Sequence, residues 1–371
     1  MSSSITRRDL LKLPIAAAVP ALILPASAAT PYSMPALFPR RVVAVKHSGA
    51  SVNLTYQTAP IQSMIRRGMM ELTGQPNYIA AWRTLFQPGD MVGIKVNPCW
   101  IPAVTTSPAC LLEILSGLLL AGVSPSNIII YERYEYLLSF IKSWLPAWVK
   151  TTFATPGYYV DDQRSMVGYD PAAYFESALY LKPFESPSVP ADTRSYLAQF
   201  VTRQATKIIS LAQLKDHQAS GVTLNLKNIT AGCVNNWNRF HDGGVNDMLG
   251  AIPGVAALPA LRNKVVLGII DGVHCLCNGG PVNYADPMYG FVTELKTMYL
   301  ATDIVACDRI GWLAINAERA KKGLLPEETA GYDGYDHYAV RQPQHITVAG
   351  EQYGLGEWRD DHIDLHQVTL T

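Results

Sequence analysis

The densest grouping of chemically capable side chains is Leu214-Lys215-Asp216-His217-Gln218-Ala219-Ser220-Gly221-Val222-Thr223-Leu224-Asn225-Leu226-Lys227-Asn228. A lysine ammonium suits an anionic oxygen or a polarised carbonyl. A carboxylate beside an imidazole suits proton transfer or a metal. Gly232-Cys233, Asn235, Asn236, Arg239, His241 and Asp242 follow closely. A second polar stretch is Asp271-Gly272-Val273-His274-Cys275-Leu276-Cys277-Asn278-Gly279-Gly280-Pro281, and a third is Lys95-Val96-Asn97-Pro98. Each follows a run that reads as a strand, and open parallel sheets bind ligands at the carboxyl ends of their strands. One shared cleft is therefore expected. Lys215, Asp216, His217, Lys227 and Asp271 are its candidate catalytic residues, and Lys95, Asn97, Asn228 and His241 its candidate ligand contacts. Any one of these residues alone is explained as a helix cap or a loop tie; the set together points to a site.

His274, Cys275 and Cys277 offer three soft ligands suited to copper or zinc, which Cys233 and His241 would complete if their loops meet. The same thiols also read as a disulfide with Cys233 or as buried cysteines, and these readings stay open. The spacing of the six cysteines is not that of a small cystine scaffold. The sequence has no Gly-x-Ser-x-Gly, no Walker loop, no Gly-x-Gly-x-x-Gly after a strand and no His-Glu-x-x-His. His241-Asp242-Gly243-Gly244 has two glycines and no following Lys-Ser/Thr, so it reads as a turn.

The elements that must position these groups alternate. Strands are expected at Arg41–Val45, Met91–Val96, Asn127–Tyr131, Ala205–Leu211, Lys264–Ile270, Thr297–Leu300 and His345–Ala349. Helical periodicity covers Ile61–Leu72, Asn77–Phe86, Tyr134–Val149 and Thr302–Arg319. Ser107-Pro108 opens a further helix that Gly122 ends. Val222–Asn228 fits a strand or a helix start. The pattern predicts an α/β fold with a mostly parallel central sheet and flanking helices. An irregular lobe is expected to be inserted at about 132–204, where Pro, Tyr and Asp break any period.

Lys95-Val96-Asn97-Pro98, Leu214-Lys215-Asp216-His217, Gly221-Val222-Thr223, Leu226-Lys227-Asn228, Asp271-Gly272, Gly279-Gly280-Pro281 and Asp303…Asp308 resemble the domain-of-unknown-function 362 family. The resemblance spans roughly residues 90–315, and its Lys-Asp-His…Gly-Val-Thr…Lys-Asn block is specific. It implies no settled activity. Some members carry ferredoxin-type iron–sulfur segments; this chain lacks a Cys-x-x-Cys-x-x-Cys run, so no such cluster is implied.

Composition bounds the rest. The 371 residues carry 30 Lys+Arg against 30 Asp+Glu, which argues against a nucleic-acid partner. At 49% hydrophobic and 16% charged, the composition forms a core. Residues 1–28 read as a twin-arginine signal peptide, with Arg7-Arg8, an apolar stretch from Leu13 to Leu24, and Ala26-Ser27-Ala28 as the cleavage site. Residues 29–371 are then one α/β domain, handed to the twin-arginine translocase and delivered to the periplasm or beyond. No later segment is apolar enough for a span. The expected function is a polar ligand-binding or catalytic cleft for a small anionic or carbonyl compound, with the cofactor unspecified. The alternative is a non-enzymatic exported binding or maturation protein linked to metal or redox traffic.

Overall fold

The computed structural model describes residues 32–98, 104–155, 165–177, 186–240, 247–280, 291–329 and 341–371. Its framework is laid down by short apolar runs that can be buried on both faces, as parallel strands require. The strands are β1 (Arg41–His47), β2 (Ser51–Val52), β3 (Thr55–Tyr56), β4 (Val92–Lys95), β5 (Ile128–Tyr134), β6 (Lys150–Thr155), β7 (Tyr169–Glu176), β8 (Arg194–Ala198), β9 (Lys207–His217), β10 (Gly221–Val222), β11 (Val265–Leu276), β12 (Val292–Thr293), β13 (Thr297–Ala301) and β14 (Asp364–Leu370). The helices are α1 (Thr58–Thr73), α2 (Tyr78–Leu85), α3 (Pro108–Ala121), α4 (Glu135–Lys142), α5 (Pro190–Thr193), α6 (Leu224–Ala231), α7 (Met248–Ala256), α8 (Pro259–Arg262), α9 (Ile304–Lys321) and α10 (His345–Glu351).

The main sheet runs β14-β1-β13-β11-β9-β4-β5-β6, and β10 and β12 pair with the ends of β9 and β11. Pairs β11/β9, β9/β4, β4/β5, β5/β6 and β1/β14 are parallel; β13 is antiparallel to both its neighbours. Helices α1 to α4 pack on one face and α6, α7, α9 and α10 on the other, giving two apolar layers around the sheet. The β4-α3-β5 unit follows its local signals closely. Ser107 Oγ accepts the Cys110 N–H, Pro108 takes the first turn, and Gly122 ends α3 at φ 99°.

Several expectations are corrected. His345–Ala349 is a helix: its β-branched residues favour a strand locally, but Ile346 and Ala349, three apart, both bury into the core. The late strand is instead β14, which pairs with β1. Strands β9 and β11 run six residues past their expected ends. Helix α4 stops at Lys142, and β6 then extends the main sheet beside β5. The irregularity of 132–204 therefore begins only after Thr155, and its described remainder includes the separate β7–β8 sheet.

Candidate functional site

The carboxyl ends of β4, β5, β9 and β11 lie side by side, and the polar blocks sit on them. Alternation then divides them. On β9, Ile209 and Leu211 enter the α1–α4 layer, while Ile208, Ala212 and Leu214 enter the α6–α10 layer. Gln213 and Lys215 continue the first row, and Asp216 continues the second.

On the α3 side, Lys215 is buried and donates from Nζ to Asn97 Oδ1 at 3.2 Å. Asn97 is held in turn by Thr106: its N–H donates to Thr106 Oγ1 at 2.9 Å and its carbonyl accepts the Thr106 N–H at 3.3 Å. Asp271 accepts the Ser107 N–H at 3.2 Å and the Val273 N–H at 3.2 Å, so a buried carboxyl meets the start of α3. Burial pushes Asp271 upward, against the downward pull of Ser107 and the Val273 amide. A bulge places it there. Asp271 pairs with Gln213 but Cys275 with Leu214, so β11 carries extra residues between them. Gln213 is fully buried, and among the described residues neither its Oε1 nor its Nε2 has a hydrogen-bond partner; Thr105 Oγ1, just before α3, also lacks one there.

On the α6 side, Lys95 Nζ donates to Glu132 Oε2 at 2.7 Å, to the Val96 carbonyl at 2.6 Å and to Asn228 Oδ1 at 3.2 Å. Asn228 Nδ2 returns bonds to the Lys95 carbonyl and to Ser210 Oγ, both at 3.1 Å. Gly232 leaves room for this knot, since a Cβ there would overlap Lys95 Cε and the Asn228 carbonyl. Lys227, one residue before Asn228 on α6, is buried near His345. Burial lowers His345 to about 4, and the Lys227 charge adds to that lowering. The start of α6 is capped by Asp308 from α9. Its carboxylate accepts the Asn225 N–H at 2.8 Å, Asn225 Nδ2 at 3.0 Å and the Leu226 N–H at 2.7 Å.

The β9–β10 hairpin joins the two sides. His217 Nδ1 accepts the N–H of Ala219 at 3.1 Å and of Ser220 at 3.3 Å. An acceptor Nδ1 leaves the ring hydrogen on Nε2, a tautomer assigned from these bonds. Asp216 Oδ1 accepts the Gly280 N–H at 2.7 Å, and the Gln218 N–H donates to the Gly280 carbonyl at 3.2 Å.

A family model described as Domain of unknown function (DUF362) matches residues 92–312, more than half of the chain. The chain belongs to the DUF362 family. No curated protein matches it. The DUF362 region runs from β4 through the first half of α9 and takes in both polar faces at the strand ends.

The candidate residues thus come together as neighbours on two faces rather than as one cluster. Lys215 meets Asn97, with Asp271 on the same side; Lys95 meets Asn228, with Lys227 on the same helix. Asp216 is turned to Gly280. His241 lies outside the described residues, as does the signal peptide. His274 is separated from the two thiols. Its Nε2 lies 2.8 Å from Ser51 Oγ and its ring stacks on Tyr56 at 4.1 Å, whereas Cys275 and Cys277 enter the α6–α10 layer. Burial raises both thiols, Cys277 to about 12 and Cys275 well above its ordinary value, which favours the protonated form over a metal-binding thiolate. Among the described residues no three His, Cys, Asp or Glu groups gather as a metal set, and Cys110, Cys233, Cys275, Cys277 and Cys307 are free thiols.

Glu132, Arg133 and Gln213 are buried polar residues missing from the sequence-based set. Glu132-Arg133 closes the Ile128–Tyr131 run, so the same strand-end rule reaches it. Gln213 sits inside β9, where local sequence does not announce it. A cavity of about 230 Å³ lies at the opposite edge of the sheet, lined in part by Arg40, Asp303, Glu357 and Arg359. Its charges are mutually tied. Asp303 accepts the amides of Ala306, Arg40 and Glu357, and Glu357 forks onto Arg359.

Proposed function

We propose that this DUF362 protein binds a small anionic or carbonyl compound on the α3 side of the sheet, at the ends of β4, β9 and β11. The observation that carries the reading is Gln213. A fully buried amide with neither atom bonded among the described residues is costly in a native core, unless a bound group meets it. Lys215, two residues on and in the same row, supplies positive charge for a carboxylate or a polarised carbonyl oxygen. Asp271, opposite Gln213 in the β9–β11 register and raised by burial, supplies a carboxyl that can hold a proton near the bound oxygen. Asn97 orients the Lys215 ammonium.

Pyruvate combines a carboxylate with a carbonyl and serves as a probe. Pyruvate should raise the thermal midpoint of the wild type in a saturable way. Lys215→Met and Gln213→Leu should each weaken its binding by about tenfold, the effect of losing one charged or buried hydrogen bond. An unchanged affinity in both folded variants overturns the reading.

Export belongs to the same proposal and rests on Arg7-Arg8, the apolar stretch and the Ala26-Ser27-Ala28 site. Replacing Arg7 and Arg8 together by Lys should leave the precursor in the cytoplasm, with its folding unimpaired; normal export of that variant, followed by fractionation, removes the assignment.

A further inference from the structure

Strand β5 ends in two side chains of opposite charge, but they do not pair with each other. Glu132 Oε2 takes Lys95 Nζ at 2.7 Å, and Oε1 takes the Arg133 backbone N–H at 2.7 Å. The Arg133 guanidinium, on a residue only 4% exposed, is thus left without a carboxylate partner among the described residues. Its Nη1 donates a long bond to the Ala231 carbonyl at the end of α6, 3.4 Å. Its Cζ lies 5.0 Å from the centre of the Tyr134 ring, and Tyr169 is a further neighbour that hydrogen-bonds the Arg133 side chain. Nε and Nη2 have no hydrogen-bond partner among the described residues.

Those two nitrogens form one edge of the guanidinium, the edge that matches a planar carboxylate with two parallel bonds. Three other arginines of this molecule use that same edge in that way. Arg66 forks onto Glu113 at 2.8 and 3.2 Å, Arg309 onto Asp360 at 2.6 and 2.8 Å, and Arg359 onto Glu357 at 2.8 and 2.9 Å. Arg133 presents the edge inside the protein, where an unmatched charge is most costly. Tyr131, two residues earlier and on the same face of β5, adds a buried hydroxyl that also has no hydrogen-bond partner among the described residues. Its ring stacks on Phe200 at 4.3 Å and forms a flat wall beside the charge.

We infer that Arg133 anchors a second ligand subsite, on the α6 side of the sheet, which takes a carboxylate group through Nε and Nη2 with the Tyr131 hydroxyl as a further donor. The inference does not depend on the Lys215 site, which lies across the sheet.

Malonate is the probe. In the ¹⁵N spectrum of the wild type, the Arg133 Nε–H resonance is the one missing in Arg133→Lys. It should shift saturably with malonate. Calorimetry should show malonate affinity falling about tenfold or more in Arg133→Lys, which keeps the charge but lacks the fork, and less in Tyr131→Phe. Lys215→Met should leave the Arg133 response intact, which separates failure here from failure of the Lys215 site. If Arg133→Lys does not fold, the wild-type titration decides, with the resonance assigned through its own backbone. A resonance unmoved by saturating malonate, or moved by phosphate alone, overturns the inference.

Discussion

Asp308 shows how a single side chain carries both structure and pH dependence. Three N–H donors from the start of α6 converge on its carboxylate, which favours the charge. Burial outweighs them and raises the group to about 7. Asp303, also raised by burial, to about 6, acts in the same direction. A carboxyl raised on folding makes the native state bind more protons than the unfolded chain between the ordinary carboxylate range and the raised value. Its proton-linked stability is therefore complete below about pH 4 and lost as pH rises through about 7. His345, lowered to about 4, works the other way and gains stability over the lower part of that window. Asp271 and Asp247, also raised by burial, add to this direction, and the raised acids together outweigh the lowered histidine, which predicts a net fall in stability from about pH 5 to pH 7.5. A tenfold change in proton affinity between the folded and unfolded chain corresponds to roughly 1.4 kcal/mol. Asp308→Asn should flatten the slope, read as the change in urea midpoint between the two pH values. An identical slope in the variant removes Asp308 as its source.

At the scale of elements, the β9–β10 hairpin is fixed by what it touches. Its chain reverses between His217 and Gly221, which sits at φ 71°, and its edge is zipped to Gly280 through Asp216 and Gln218. Gly280 approaches so closely that a Cβ would overlap the Asp216 carbonyl. Its φ is not in the left-handed region, so the demand for glycine there is steric. Gly280→Ala should cost about 1–3 kcal/mol, the range for overpacking against backbone. Chemical denaturation measures it, and a neutral result means the hairpin does not need this contact. The bulge in β11 is the companion device. Without the extra residues between Asp271 and Cys275, the strand's later side chains would keep the opposite alternation.

Across the whole molecule, the two apolar layers determine what the cysteines can do. Cys110 lies in the α1–α4 layer, and Cys233, Cys275, Cys277 and Cys307 in the other. Burial raises all five thiols. In the native protein these five should react slowly with a thiol reagent at pH 7.5, and denaturation without reductant should expose at least five reactive thiols. A lower count reveals a disulfide and contradicts the free thiols. No helix among the described residues is long and apolar enough to cross a membrane.

Local chemistry was sufficient wherever an element carries its own start, period and stop. Helix α3 is the clearest case: Ser107 caps it, Pro108 starts it, and Gly122 stops it at the left-handed φ that glycine tolerates. The α/β class, the parallel β4-α3-β5 unit and the placing of polar blocks near strand ends followed from the same kind of signal. The reach of β9 and β11 through Lys215 and His274 did not, because a polar residue in a strand is stabilised by partners distant in sequence. Asn97 for Lys215, Ser107 for Asp271 and Glu132 for Lys95 are such partners. The same holds for His345–Glu351, where tertiary burial of Ile346 and Ala349 overrides β-branched propensity. The division of the candidate site was likewise a tertiary decision. Sequence order brings Lys95, Lys215 and Lys227 to one edge of the sheet, but alternation, the β11 bulge and the packing of α3 and α6 assign them to opposite faces.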